Sequence, residues 1–213
     1  MHAPRWVALA GVAAIIGGIT AIVLTMPFAI AYHTAYPGFD VPPYWISAAG
    51  AALRPVISFA APSVVYDVYG RVFDLVYLLF LPATFALHRL HRGATSTIER
   101  AGFVTLAVGL LVTFVGVAGD YWADGALFVM SVLGLLTIGV GAVVYGVAML
   151  QRAVLPGWLG WLLIGCLPGA FIVTWIIGHI PSGPTVPFAA FFLALGYVLV
   201  FRRDTLPTDE PAL

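Results

Sequence analysis

The chain has 213 residues, of which 62% are hydrophobic and only 8% charged, with formal charges that cancel at neutral pH. Soluble domains carry about 25% charged residues, so this composition cannot cover a water-exposed surface and excludes an ordinary soluble fold. It equally excludes a nucleic-acid binder, which would need a basic excess. Lys and Asn are absent and every basic residue is Arg, consistent with a GC-rich coding bias. The lone Cys166 provides no disulfide framework.

Six apolar segments, beginning near Trp6, Val64, Ala101, Ala126, Gly157 and Val186, are each long enough to cross a bilayer once. With that assignment Arg5, Arg89, Arg92, Arg100, Arg152, Arg202 and Arg203 fall at one side, and only Arg54 and Arg71 at the other. Cytoplasmic flanks retain Arg and Lys, which places both termini inside. The expectation is an all-α, polytopic membrane helix bundle of six transmembrane helices. It forms a single domain over residues 1–203 with a short cytoplasmic tail at 204–213, and lies in the cell membrane as a multi-pass protein.

In the first segment, Arg5 precedes the apolar run from Trp6 to Met26, and Ala29-Ile30-Ala31 resembles a cleavage site. The run exceeds the 7–15 residues of a typical signal-peptide core, so an uncleaved span is expected. The long first external loop, from Tyr32 to about Pro62, opens with Tyr36-Pro37-Gly38-Phe39-Asp40-Val41-Pro42-Pro43, a stretch its prolines keep from being helical. A short interfacial helix is predicted from Tyr44 to Arg54, stopped by Pro55.

The second span carries the constellation with most chemical content. Asp67, Arg71 and Asp74 are spaced by four and three residues, so they share a helix face with Arg71 between two carboxylates. With the inner boundary near His88, Asp74 lies about 9 Å inside the hydrocarbon at about 1.5 Å per residue. Ionisable groups at such depth mark ion or proton sites or salt-bridged stripes, and both readings stand. Asp40, Asp67, Asp74, Asp120 and Asp124 against Arg54 and Arg71 make the outer side acidic, which favours cations. His88 and His91, interleaved with Arg89 and Arg92, predict an inner-face cluster meeting anionic lipid headgroups.

Ser96-Thr97-Ile98-Glu99 has capping-box spacing before the third span. Gly102, Gly109 and Gly116 repeat every seven residues along that span. The fourth carries Gly134 with Gly141 and Gly139 with Gly146, so the two are expected to form a tight hairpin. Asp124 and Thr185 are expected N-caps of spans four and six. Asp120 is left without a structural role and joins the candidate ligand site. Tyr121, Trp122, Trp158 and Trp161 read as interfacial anchors. Pro27, Pro82 and Pro168 each remove an intrahelical bond in or near the end of a span. Val112-Thr113-Phe114-Val115-Gly116 and Val173-Thr174-Trp175-Ile176-Ile177-Gly178 suggest a duplicated helix pair or a chance likeness among apolar residues.

His33 and His179 both fall near outer span ends, without a ligand motif to make them a metal or haem site. Absence of Lys removes the P-loop, the retinal Schiff base and the Ser–Lys dyad. HExxH, paired cysteines and GxSxG are missing too. No cofactor or metal is expected and no catalytic residue is named.

Around Gly119-Asp120-Tyr121-Trp122 and Leu155-Pro156-Gly157-Trp158-Leu159-Gly160-Trp161 the chain resembles uncharacterised small prokaryotic integral membrane proteins of about six spans. The resemblance covers spans three to five and implies a fold, not an activity. The sequence therefore points to small-ligand or cation binding or transport, with Asp67, Arg71, Asp74 and Asp120 as the ligand- or ion-binding residues of an outward-facing polar pocket on span two. The alternatives are a non-catalytic accessory or sensor subunit, working as a homo-oligomer or with a membrane partner, and an aspartate-dependent membrane enzyme.

Overall fold

A computed structural model describes residues 4–38, 40–91, 96–123, 125–152 and 154–202. Its elements are helices: Arg5–Ala35 (α1), Ile46–Ile57 (α2), Pro62–Leu90 (α3), Thr97–Trp122 (α4), Phe128–Arg152 (α5), Gly157–Ile177 (α6) and Ser182–Phe201 (α7). Six of these, α1 and α3 to α7, are long and apolar enough to cross a membrane. The chain is an all-helical bundle of six candidate spans.

The spans pack in sequence order, α3 on α4, α4 on α5, α5 on α6 and α6 on α7, and α1 closes the ring by contacting both α3 and α7. Short links make successive helices antiparallel, so Arg5, Arg89, Arg100, Arg152 and Arg202 share one end of the bundle and Arg54 and Arg71 the other. Arg92, Arg203 and Asp124 lie outside the described residues. Large side chains fill the ring, among them Phe28, Phe73, Tyr77, Phe191 and Leu195. Phe80 stacks on Phe192 with ring centroids 4.1 Å apart.

The glycine stripes position α4 and α5 as expected. A Cβ at Gly102 or Gly109 would stand 2.6 Å from the backbone nitrogen of Tyr145 or Ile138, and one at Gly116 would collide with Ser131. Gly141 returns the approach against Leu106, and Gly134 against Thr113. Gly139 and Gly146 instead face α6, at Leu167 and at Ile164 with the Gly160 carbonyl. One helix thus uses two small-residue faces to seat two neighbours.

Local expectations need correction at four places. Pro55 does not end α2, which runs on to Ile57. Proline keeps a helical φ while forfeiting one amide bond, and the Tyr69 hydroxyl donates to the Val56 carbonyl at 2.6 Å in that last turn. Thr185 does not cap α7, which starts at Ser182. Pro184 falls in the first turn, where its missing N–H removes no intrahelical bond, and Thr185 Oγ1 donates to Pro181 O at 2.7 Å.

The third correction is Glu99. Ser96 Oγ accepts from its amide at 3.1 Å, forming half of the capping box, but the carboxylate turns inward to His88 Nδ1 at 2.7 Å and is fully buried. The fourth is the paired histidines: His88 stacks on Phe103 at 4.0 Å, and His91 is buried with Nδ1 2.8 Å from the Leu87 carbonyl. Burial holds the His91 imidazole below its ordinary range, partly offset by that hydrogen bond. Neither ring presents itself as a surface base, whereas Arg89 is exposed.

Candidate functional site

The end of the bundle away from the clustered arginines holds a cavity of about 770 Å³. The last turn of α1 supplies Tyr32, the connection that follows it Tyr36, Asp40 and Val41, and the start of α3 Tyr66. Asp120 comes from the end of α4, Phe128 from the start of α5, and Thr174 and Trp175 from the end of α6. Gly178, His179 and Ile180 of the α6–α7 link complete it.

The link is shaped by Gly178, whose φ of +70° ends α6 in the left-handed region open to glycine. Its N–H donates to Thr174 O at 2.8 Å, and its carbonyl accepts from His33 Nε2 at 3.2 Å. This brings His33 beside His179, whose ring stands in the wall of the site while His33 lies behind the lining. His179 is buried, with Nδ1 2.9 Å from Ser182 Oγ and Nε2 3.4 Å from the Tyr66 hydroxyl. Burial, reinforced by His33, pushes the His179 imidazole down to about 3, so the ring is neutral at physiological pH.

Aromatic packing sets the rest of the wall. Tyr66 lies 5.6 Å from Tyr32 and 5.5 Å from Tyr36 between ring centroids, the latter pair edge to face, and Phe28 packs edge-on to His179 at 4.5 Å. Hydroxyls tie the layer together: Tyr66 and Tyr121 are 2.8 Å apart, and Tyr32 donates to Asp40 Oδ2 at 2.9 Å. Outside, Trp45 Nε1 donates to Ile176 O at 2.8 Å and tethers the segment before α2 to the end of α6.

Of the four residues singled out from sequence, Asp120 lines the cavity. Asp67 is half-buried on α3, close enough to Asp120 for the carboxylates to repel each other. Arg71 is not the bridge between Asp67 and Asp74 that their spacing suggested. Its Nε donates to Tyr121 O at 3.0 Å and its guanidinium lies 4.7 Å from the centre of the Trp122 ring. A free C-terminal carbonyl at the negative end of α4 and an aromatic face together outcompete the intrahelical carboxylates. Asp74 is buried on α3 and does not line the cavity.

Tyr121 is likewise no interfacial anchor: it is buried, its ring against Gly70, whereas Trp122, Trp158 and Trp161 are exposed. Sequence reasoning missed Tyr32, Tyr36 and Tyr66, since a tyrosine near a span end reads equally as an anchor. Among the described residues no group of three or more His, Cys, Asp or Glu could hold a metal ion.

The arrangement is electronegative and aromatic: two carboxylates, several phenol rings, a neutral imidazole and an indole, with no arginine among the described lining residues. Comparison with protein-family models, curated proteins and solved structures finds no match for the chain.

Proposed function

We propose that this chain is a multi-pass protein of the cell membrane, with its arginine-bearing end in the cytoplasm, that binds a small organic cation in an outward-facing pocket. The observation that carries the reading is the lining: Tyr32, Tyr36, Tyr66 and Trp175 beside Asp40 and Asp120, with no arginine among the described lining residues and His179 neutral. A cation over an aromatic face gains about 0.5–1 kcal/mol at an exposed contact and about 2 kcal/mol at a desolvated one. Two carboxylates in a concave, low-dielectric site raise the local cation concentration, and the cavity has the size of a small-molecule site. Neutral His179 adds a hydrogen-bonding wall without opposing charge. Arg89, with Arg92 next along the chain, would meet anionic headgroups at the other face.

Purified protein in detergent should show a rise in unfolding temperature with choline concentration, because a ligand that binds only the folded state stabilises it by mass action. Asp120→Asn should abolish most of that rise. A wild-type protein whose unfolding temperature ignores choline at millimolar concentrations contradicts the proposal.

A further inference from the structure

Asp74 has no role in the pocket and no structural partner. It is 3% exposed, between Phe73 and Val76, which are fully buried. Its Oδ1 has no hydrogen-bond partner, and the ion pair found among the described residues is His88 with Glu99, not Asp74 with Arg71. Arg71 is held by Tyr121 O and Trp122. Tyr77 lies within electrostatic reach of Asp74, and its hydroxyl is 2.7 Å from Thr185 Oγ1. The carboxyl lies about 12 Å of helix beyond Tyr66, so pocket ligands do not reach it.

An ionised carboxylate in such a place lacks solvent, counter-charge and donors together, and a group so placed neutralises instead. Two agents could neutralise it. A metal cation requires several further oxygen ligands, and no ligand group of three or more His, Cys, Asp or Glu exists among the described residues. A proton requires none. We infer that Asp74 is a proton-binding site inside the helix ring, occupied as the neutral carboxylic acid. The inference goes beyond the pocket reading and stands if that reading fails.

The test is infrared spectroscopy of the full chain in phosphatidylcholine vesicles at neutral pH. The wild type should show the carbonyl stretch of an undissociated carboxylic acid, shifted down in heavy water, and Asp74→Asn should lack it. Identical spectra in this region overturn the inference. Should Asp74→Asn fail to fold, wild-type protein treated with dicyclohexylcarbodiimide decides the matter. An undissociated acid adds its oxygen and proton across one C=N bond, and O-to-N acyl migration leaves a stable N-acylurea. Peptide mass mapping should place that adduct on Asp74. An unmodified Asp74 after treatment overturns the inference as well.

Discussion

Gly109→Ala isolates the contact on which the α4–α5 pairing rests. The added Cβ would lie 2.6 Å from Ile138 N, 2.9 Å from its Cγ1 and 3.0 Å from its Cα. Ordinary non-bonded separations are about 3.5–4.0 Å, so the helices must part by about 0.5–1 Å, because backbone cannot rotate aside as a side chain does. A gap of that size forfeits a quarter to a half of each neighbouring dispersion contact. Overpacking of this kind costs about 1–3 kcal/mol, against about 1 kcal/mol gained because alanine is the better helix former. The net expectation is about 0–2 kcal/mol of destabilisation. Gly165→Ala is the internal control: nothing lies within 4 Å of its Cβ position, so only the propensity gain remains. The two variants should differ by about 2 kcal/mol, or roughly 4–8 °C in unfolding temperature for a chain of this size. Thermal unfolding in detergent measures it, and equal midpoints would refute the close-approach argument.

Two further outcomes are expected. Folded His179 stays neutral down to about pH 3, while the unfolded chain takes up the proton near 6.5. Stability is therefore intact above about pH 6.5 and lost below it at about 1.4 kcal/mol per pH unit, about 5 kcal/mol in all. His179→Gln should flatten the acid limb of thermal stability against pH, leaving the part due to His91, and an unchanged limb would refute the assignment. For orientation, a cysteine at Tyr44, 92% exposed, should react with a membrane-impermeant maleimide on intact cells, and one at Arg152 should not; the reverse pattern would invert the topology.

The fold was legible because two redundant signals carry it. Spans are written in long apolar runs, broken in α3 by Asp67, Arg71 and Asp74, and from α3 onward their order follows from short links that force neighbours to be antiparallel. The glycine repeats also spoke clearly, since a missing side chain every seven residues has a geometric consequence wherever the partner lies. Side-chain partners were less legible. Spacing placed Arg71 beside Asp67 and Asp74, but the choice among acceptors depended on the Tyr121 carbonyl and the Trp122 ring, residues brought near only by packing of α3 on α4. Glu99 shows the same limit: the capping spacing predicted its amide's partner and not its carboxylate's, which His88 takes from another helix. Asp120 stood out because no local structure needed it. The tyrosines around it did not, because their shared wall comes from separate helices.

The most direct measurement is a calorimetric titration of the purified full-length protein with choline and, separately, with 3,3-dimethylbutan-1-ol, its uncharged isostere. Shape and apolar area are matched, so only the charge distinguishes the two. The pocket of Tyr32, Tyr36, Tyr66 and Trp175 with Asp40 and Asp120 predicts saturable binding of choline and at least about tenfold weaker binding of the alcohol. Equal affinity for both, or no saturable heat with choline, would contradict a cation-binding site.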